Sequence, residues 1–267
     1  MKMQKKIIKE LKTKSIIYPF KEIENCIKFI QKFLLNNKNI NALIVGISGG
    51  KDSTLVGKLC KKAIKRTKNK NFKLIALRLP YGKQLDEEYC KMALNFINPD
   101  IIININIKNS VISSKQSLEN AGINISNYLL GNEKSRERMK VQYTIAGKYN
   151  GIVVGTSNAS ELATGFFTKY GDGGCDISPI SHLNTRQVKN LLKYMNCPKK
   201  LYSKVPTADL EDDKPGLPDE KALGIKYKNI DDFLEGKIID KKIAKKIEYL
   251  FIKTKHKRKL PIKCIEN

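Results

Sequence analysis

The stretch Asn41-Ala-Leu-Ile-Val-Gly-Ile-Ser-Gly-Gly-Lys-Asp-Ser53 decides the fold, because an apolar run ends in a glycine turn and continues as a predicted helix. The two adjacent glycines lack a Cβ, so backbone N–H groups can approach an anion, and the helix start adds the positive end of its dipole. The hydroxyls of Ser48 and Ser53 can donate to the same anion. The Asp52 carboxylate suits Mg²⁺ lying between it and a phosphate. The loop therefore predicts a magnesium-nucleotide site.

This turn differs from the common phosphate-binding loop, because Val45 stands at the first glycine position of that motif and Asp52 follows Lys51. The pattern Ser-Gly-Gly-x-Asp-Ser instead resembles the loop of ATP pyrophosphatases. Those enzymes cleave ATP between the α and β phosphates, form an adenylate and release pyrophosphate. An ordinary strand-to-helix connection is the alternative, but the preceding apolar strand and the two serines favour the nucleotide site.

Length and composition predict a single domain over residues 1–267, with a lysine-rich N-terminal extension over residues 1–15. No apolar run approaches the length of a membrane span, and the start lacks the features of a secretory signal, so we expect a cytoplasmic protein with no membrane partner. Its six cysteines form no C-x-x-C pair. We therefore expect reduced cysteines, with neither a disulfide framework nor a zinc or iron–sulfur site.

The formal net charge of +25 makes nucleic acid a partner to consider. Only six of the 51 basic residues are arginine, and the lysines are spread over nearly every segment. This distribution is typical of a compositional bias rather than of a binding stripe. We therefore predict no specific nucleic-acid partner.

Strand and helix patterns alternate after a first amphipathic helix over Pro19–Asn37. The predicted strands are Ala42–Ile47, Phe72–Leu79, Ile101–Ile107 and Ile152–Val154, and the predicted helices that follow are Ser53–Arg66, Asp86–Asn98, Glu133–Asn150 and Asp240–Thr254. Continuous apolar strands alternating with helices predict an α/β fold, a Rossmann-like parallel sheet with helices on both faces. Ligands of such sheets bind beyond the carboxyl ends of the strands. The Ser48–Ser53 loop and Gly155-Thr-Ser-Asn158 should therefore face one crevice.

Two further segments lack a periodic pattern. Phe166–Ile180 is rich in glycine, and Lys204–Asp219 holds three prolines around an acidic cluster. Loops this long usually serve a site. We expect Lys204–Asp219, together with the shorter Pro80–Leu85, to order over bound substrates.

Several long motifs, in order along the chain, point to one family among the ATP pyrophosphatases. The run Gly155-Thr-Ser-Asn-Ala-Ser-Glu-Leu-Ala-Thr-Gly-Phe-Phe-Thr-Lys-Tyr-Gly-Asp-Gly-Gly174 resembles the ammonia-dependent NAD⁺ synthetase family, within the ATP pyrophosphatase superfamily. Further matches occur in order, from about Ile16 onward, at Lys204-Val-Pro-Thr-Ala-Asp-Leu210, Asp219-Glu-x-x-Leu-Gly-Ile-x-Tyr227, Ile230-Asp-Asp-Phe-Leu-Glu-Gly236 and His256-Lys-Arg258. The resemblance thus covers nearly the whole chain.

The resemblance implies a ligase that amidates deamido-NAD⁺ to NAD⁺, the last step of NAD⁺ biosynthesis. The nicotinate carboxylate would attack the α-phosphate of ATP, and ammonia would displace AMP from the acyl-adenylate. The implied cofactor is Mg²⁺, and the implied assembly is a homodimer with sites near the shared interface. No segment is predicted as a glutaminase domain, so ammonia is the expected nitrogen source.

The resemblance also assigns residues. The implied metal ligands are Asp52 and Glu161, and the implied catalytic residues are Asp52, Lys169 and Thr207. Deamido-NAD⁺ contacts are expected at Arg136, Lys169, Asp176, His256 and Lys257. ATP contacts are expected at Gly46, Ile47, Ser48, Gly49, Gly50, Lys51, Asp52, Ser53, Thr156, Thr185 and Thr207.

Several of these residues have a structural alternative. Thr156 would otherwise be a helix N-cap, and Arg136 would belong to a solvated helix face. Gly171-Asp-Gly-Gly174 alone is typical of a tight turn, and His182 is expected to be structural. Thr185 departs from the family, which commonly has an ATP-contacting lysine there, and Arg186 would project elsewhere on a helix.

Two other functions remain open from the residues. One is a different ATP pyrophosphatase, such as a tRNA-modifying adenylating enzyme, in which the basic charge would hold RNA. The other is a nucleotide-binding module without catalysis. The long glycine-rich motif opposes the first, and the joint presence of Asp52, Glu161, Thr207 and Lys169 opposes the second.

Overall fold

The computed structural model describes residues 2–67, 71–83, 86–207 and 216–264. The strands in these ranges are Ala42–Gly46 (β1), Lys73–Arg78 (β2), Ile101–Asn104 (β3) and Gly151–Val153 (β4). The helices are Lys2–Leu11 (α1), Pro19–Asn36 (α2), Lys51–Arg66 (α3), Glu87–Ile97 (α4), Lys108–Asn120 (α5), Asn127–Lys148 (α6), Ala159–Thr164 (α7), Thr185–Tyr194 (α8), Lys199–Tyr202 (α9), Asp219–Leu223 (α10), Tyr227–Leu234 (α11) and Lys241–Lys253 (α12), followed by a 3-10 turn at Lys255–Lys257. No helix among the described residues is long and apolar enough to cross a bilayer.

The four strands form one parallel sheet in the order β3-β2-β1-β4. Successive residues of β1 point to opposite faces, as the two-residue period of a strand requires. Leu43 and Val45 pack in one cluster with residues of α2, α3, α4 and α8, whereas Ala42 and Ile44 pack in another with α5 and α6. Both faces are therefore covered. The predicted α/β fold, with helices on both sides of a parallel sheet, is confirmed.

A third apolar cluster joins α1, α7, α11 and α12 beside the sheet. The lysine-rich start, expected as an extension, forms α1, and its Met3, Ile7 and Leu11 lie on one face because they are four residues apart. Ile7 is fully buried in the same cluster as Phe233 and Phe251. The lysines of α1 lie around an apolar stripe.

Three predicted boundaries are corrected. The residues Ser48–Ser53, the predicted phosphate-binding turn, are called the phosphate loop. The helix that follows it begins at Lys51 rather than Ser53, because Gly50 is its N-cap. The helix expected from Glu133 begins at Asn127, because the Ser126 side chain caps it by accepting from the backbone N–H of Leu129. The third strand ends at Asn104 rather than Ile107, next to a β2 that ends before Pro80, whose nitrogen carries no hydrogen to extend the pairing.

The path of the chain creates a switch point beside β1. From β1 the chain continues to β2 and β3 on one side, then returns to β4 on the other. The loops that leave β1 and β4 therefore diverge at the carboxyl end of the sheet. A crevice opens between them.

The phosphate loop is held tightly against α4 at Gly49. This residue has φ +84°, and a Cβ there would lie 2.7 Å from the backbone nitrogen of Cys90. The Cys90 thiol also donates to the carbonyl of Ile47 at 3.2 Å. Only glycine meets both demands without moving backbone.

We expect Gly49→Ala to lower the free energy of unfolding by about 2 kcal/mol more than Gly122→Ala, measured by urea denaturation. Gly122 is the matched control, because its φ of +78° carries the same left-handed strain, while a Cβ added there would meet no atom of the described residues within 4 Å beyond its chain neighbours. Equal losses in the two variants would contradict the close packing of Gly49.

Candidate active site

A cavity of about 570 Å³ lies at the carboxyl ends of the strands. The loops that follow β1 and β4 both line it, which confirms that they face one crevice. Ten of the predicted site residues contribute to its wall: Gly46, Ile47, Ser48, Gly50, Lys51, Asp52, Ser53, Thr156, Glu161 and Thr207. Gly49 lies in the same loop, turned toward α4.

The loop after β1 is organised by its serines. The hydroxyls of Ser48 and Ser53 lie 3.2 Å apart, and the N–H of Gly50 donates to the Ser48 hydroxyl at 3.2 Å. The hydroxyl of Thr54 donates to the carbonyl of Gly50 at 2.7 Å and closes the first turn of α3. The first turn of α3 thus points its N–H groups and its dipole at the cavity, an arrangement suited to a phosphate.

Asn158 connects this loop to the one that follows β4. Its amide nitrogen donates to Asp52 Oδ1 at 3.0 Å, while its side-chain oxygen accepts from the N–H groups of Ser160 and Glu161. The Glu161 carboxylate accepts in return from the Asn158 N–H at 3.0 Å, which completes a capping box at α7. Asn158 is therefore the N-cap, and the alternative interpretation of Thr156 as that cap is wrong.

The two predicted metal ligands, Asp52 and Glu161, line the same cavity. Burial and the neighbouring charge of Asp52 raise the pKa of Glu161 well above its ordinary value. A divalent cation bound between the two carboxylates would stabilise the ionised form of Glu161. Their hard oxygen donors fit Mg²⁺.

The predicted deamido-NAD⁺ residues lie outside the wall of this cavity. Asp176 accepts from the N–H of Val153 at 2.7 Å and from the Tyr143 hydroxyl at 3.3 Å. Lys257 donates to two carbonyls, at 3.0 Å and 2.7 Å, in the turn after α7, and burial lowers its pKa. Lys169 is half-buried, and its ammonium lies 5.1 Å from the centre of the neighbouring Tyr170 ring. His256 is exposed in the final 3-10 turn.

Arg136 lies in a second cavity of about 320 Å³ between α5 and α6. Its side chain is exposed, and its guanidinium pairs with Glu133 at 2.8 Å. The structure therefore separates Arg136 from the phosphate loop. Its immediate surroundings match the solvated helix face that the charged sequence also suggested.

The inner face of α6 supplies residues that the sequence reasoning missed. Lys134, Arg138 and Gln142, spaced four residues apart, all line the main cavity. Lys134 is 1% exposed, with its ammonium 4.1 Å from the centre of the Tyr81 ring. The four-residue spacing was visible in the sequence, but all three residues are polar, so no apolar pattern indicated which face of the helix would meet the cavity.

The glycine-rich turn contributes Asp172 to the same wall. Asp172 accepts from the Ser135 hydroxyl at 2.7 Å and from the Thr168 N–H at 2.8 Å. The N–H of Gly174 closes the turn on the carbonyl of Gly171 at 2.9 Å. Gly171–Gly174 is thus a tight turn that also borders the cavity.

Thr185 begins α8 and lies outside the cavity wall. Its N–H reaches the Ser160 hydroxyl and Asp231 at 3.2 Å each, and its hydroxyl oxygen is buried without a hydrogen-bond partner among the described residues. The adjacent Arg186 pairs with Asp232 at 2.9 Å and Glu235 at 2.6 Å. The expectation that Arg186 projects elsewhere is confirmed.

The family model described as NAD synthase matches residues 22–261. The chain belongs to the NAD synthase family. It is 58% identical over 264 residues to the NH₃-dependent NAD⁺ synthetase of Buchnera aphidicola subsp. Schizaphis graminum, covering 97% of this chain and 98% of that protein.

Two solved structures share the fold of this NAD synthase family member. The NAD⁺ synthetase from Burkholderia pseudomallei has 37% identity and a TM-score of 0.82, covering 97% of this chain and 96% of that one. The NMN synthetase from Francisella tularensis has 30% identity and a TM-score of 0.83, covering 94% and 100%. The match thus extends over nearly the full length of both neighbours.

His182 has a structural role in this NAD synthase family member, as the sequence suggested. Its Nε2 lies 2.8 Å from one oxygen of Glu22, and the Lys14 ammonium donates to the other oxygen at 2.8 Å. The hydrogen bond with His182 and the contact with Lys14 lower the pKa of the buried Glu22 to about 2. The cluster fixes α2 to the segment before α8.

We expect Glu22→Gln to lower the free energy of unfolding by about 2 kcal/mol at pH 7. The folded-state pKa lies below the ordinary 4.5, so this stabilisation is complete above pH 4.5 and is lost as the pH falls toward 2. Urea denaturation across this range measures it. The control is Glu24→Gln, which breaks the more exposed pair with Arg66, and an equal effect there would contradict a special role for Glu22.

We expect Glu161→Gln to weaken Mg-ATP binding at least tenfold while leaving metal-free ATP binding unchanged or tighter, because the substitution removes a metal-binding charge. The glutamine oxygen can still accept from Asn158 and keep the cap of α7. Isothermal titration calorimetry with and without Mg²⁺ measures the difference. The control is Glu119→Gln, whose carboxylate pairs with Lys115 on the surface, and a wild-type Mg²⁺ dependence in Glu161→Gln would overturn the assignment.

Proposed function

We infer that the chain is an ammonia-dependent NAD⁺ synthetase, a ligase that joins ammonia to deamido-NAD⁺ in a reaction driven by ATP. The observation that carries this inference is the meeting of the Ser48–Ser53 loop with Glu161 in one cavity, in a chain of the NAD synthase family. The 58% identity to a named NH₃-dependent NAD⁺ synthetase supports the same substrates.

The reaction has two chemical steps. An oxygen of the nicotinate carboxylate attacks the α-phosphorus of ATP, and the bond from that phosphorus to the bridging oxygen breaks, so pyrophosphate leaves with the electron pair. Ammonia then attacks the acyl carbon, AMP leaves, and one proton is lost to give the carboxamide. No protein nucleophile is required, because the adenylate already provides the leaving group; orientation and exclusion of water are the main demands on the site.

The ATP phosphates are assigned to the loop over residues 46–53. Its N–H groups and the first turn of α3 stabilise phosphate charge, and Lys51 adds a cation at the same wall. Thr156 and Thr207 supply hydroxyls from two other segments that line the cavity. Thr185 is assigned no direct contact with ATP, because it lies outside the wall of the cavity.

Mg²⁺ is assigned to the carboxylates of Asp52 and Glu161. When bound, it would neutralise charge on the phosphates and on the departing pyrophosphate. Asn158 orients both carboxylates, since it donates to Asp52 through its side chain and to Glu161 through its backbone. The protein thus holds the two ligands in place through one asparagine.

The deamido-NAD⁺ site is assigned to Arg136, Lys169, Asp176, His256 and Lys257. Because these residues lie outside the main cavity, we place the dinucleotide along the adjoining surface, with its nicotinate end reaching toward ATP. Lys169 and Thr207 remain the proposed catalytic residues beside Asp52. This placement is supported by Asp172 and Gly174, which belong to the same glycine-rich turn as Lys169 and line the cavity.

A homodimer is proposed from the exposed apolar residues of α5, α6 and their connection. These are Ile112, Ile123, Tyr128, Leu129 and Tyr143, each more than a third exposed. They lie on the elements that form the second cavity, where Arg136 is found. A partner subunit on this side would bury that surface and enclose the proposed dinucleotide site.

We place the reaction in the cytoplasm, as the cysteines support. All six are free, and four of them are buried, at positions 26, 60, 90 and 197. Burial raises the pKa of Cys26 to about 12 and that of Cys197 to about 11, so these thiols are unreactive core residues.

The segments predicted to order over bound substrates, 80–85 and 204–219, are described only at 80–83, 204–207 and 216–219. Residues 84–85 and 208–215 lie outside the described residues.

The deciding assay supplies the full chain with ATP, Mg²⁺ and either deamido-NAD⁺ or nicotinate mononucleotide, together with ammonium or glutamine. We expect NAD⁺ and AMP in equal amounts with deamido-NAD⁺ and ammonium, and at least a hundredfold loss in Asp52→Ala. The Glu119→Ala variant, altered on the exposed surface of α5, should keep the wild-type rate.

Each other outcome rejects a stated part of the proposal. Preference for nicotinate mononucleotide would assign the activity named for the Francisella neighbour. AMP released only when RNA is added would indicate a tRNA-modifying enzyme, and ATP binding without turnover would indicate a nucleotide-binding module. Equal rates with glutamine would reject ammonia as the nitrogen source.

A further inference from the structure

Lys51 is a buried cation at the base of the cavity. It is the first residue of α3, is 7% exposed and lines the wall. Its ammonium lies 3.8 Å from Asp52 Oδ2, and its charge also acts on Glu161. A lysine side chain has four rotatable bonds, so a fixed position for its ammonium requires support from its surroundings.

The ring of Tyr227 provides that support. The Lys51 ammonium lies over this ring, 5.6 Å from its centre, within the range of a cation–π interaction. Tyr227 is itself 6% exposed and begins α11, in a motif to which the sequence assigned no role. The face of the Tyr227 ring therefore contacts the last part of the loop at residues 48–53 through Lys51.

The ring is held at both ends. The Tyr227 hydroxyl donates to Asp219 Oδ2 at 3.1 Å, and its backbone N–H donates to Glu220 Oε1 at 2.7 Å. Burial and the surrounding carboxylates raise the pKa of Tyr227, so the hydroxyl keeps its proton and remains a donor. The ring has little freedom to turn away from Lys51.

Asp219 extends this contact to the segment that carries Thr207. The Asp219 N–H donates to the carbonyl of Pro206 at 3.0 Å, and Thr207 pairs with Pro218 in an antiparallel bridge. Thr207 and Asp219 both line the cavity. Tyr227 thus contacts two residues that line the cavity: its hydroxyl donates to Asp219, and its ring lies under the Lys51 ammonium.

We propose that Tyr227 is a positioning residue for ATP: its ring holds the Lys51 ammonium toward the phosphates, and its hydroxyl fixes Asp219 and the Thr207 segment opposite. The proposal rests on the proposed function in one respect, namely that ATP occupies this cavity. Negative charge accumulates on the pyrophosphate as it departs, so a cation held in place stabilises that step more than a mobile one.

A double-mutant cycle tests this coupling. We expect Tyr227→Leu to lower kcat/KM for ATP about tenfold and Lys51→Met to lower it at least as much. In the Lys51→Met background, Tyr227→Leu should add only the loss that Tyr227→Phe causes, because the ring acts through the lysine and the hydroxyl acts separately. The value of KM for deamido-NAD⁺ should change less than twofold in Tyr227→Leu. Additive losses in the cycle would overturn the proposal.

A second series keeps the test valid where Tyr227→Leu does not fold. Phenylalanine carrying zero to three ring fluorines at position 227 preserves the shape while weakening the attraction of the ring for a cation. We expect Mg-ATP affinity, measured by calorimetry, to fall stepwise with fluorination in the Lys51 protein and to stay constant in the Lys51→Met protein. A flat series in both proteins would reject the role of the ring.

The hydroxyl is tested by comparing Tyr227→Phe with wild type. We expect a lower kcat/KM for ATP that depends on Thr207, so the loss should disappear in the Thr207→Val background. An undiminished loss in that background would reject the role of the hydroxyl. Failure of NAD⁺ formation in the wild type would reject the proposed function, while the Mg-ATP affinities of the fluorinated series, measured without turnover, would still confirm or reject the coupling.

Discussion

The parallel pairing of β1 with both β2 and β4 is the constraint on which the site depends. β1 lies between β2 and β4, and its residues are buried on both faces of the sheet. The chain that leaves β1 therefore forms a loop at the carboxyl end of the sheet. The loops leaving β1 and β4 therefore rise beside each other. The first loop carries the N–H groups proposed to bind phosphate, and Glu161, from the element after the second loop, lines the same cavity.

The loops are then locked by contacts that no strand supplies. Gly49 packs against the backbone of α4, and Asn158 donates across the crevice to Asp52. These contacts fix the positions of groups that would otherwise repel one another, since Asp52 and Glu161 both carry carboxylates. The Lys51 ammonium and the hydrogen bonds from Asn158 offset part of the cost of placing two acids together. The proposed binding of a metal nucleotide would relieve the remaining repulsion between the two carboxylates.

The third apolar cluster lies behind the lining of the cavity and meets it where the Tyr227 ring contacts Lys51. α11 packs with α1, α7 and α12 through residues such as Phe233, and the first residue of the same helix, Tyr227, meets Lys51. A helix that packs outside the two clusters covering the sheet therefore contacts the first residue of α3, Lys51, through one aromatic ring. The lysine-rich start takes part in the same packing through Ile7, so residues that resemble a solvated extension in sequence stabilise the cluster that includes Tyr227.

The sequence by itself determined the parallel α/β class and the common crevice of the loops after β1 and β4, because buried parallel strands and glycine turns leave local patterns of apolar and small residues. It also identified the family through long motifs. Only the tertiary structure showed that Lys134, Arg138 and Gln142 face the cavity while Arg136 does not, because the face of a helix depends on what packs against it. The contact between Lys51 and Tyr227 joins residues far apart in the chain, and such proximity is decided by packing rather than by local pattern.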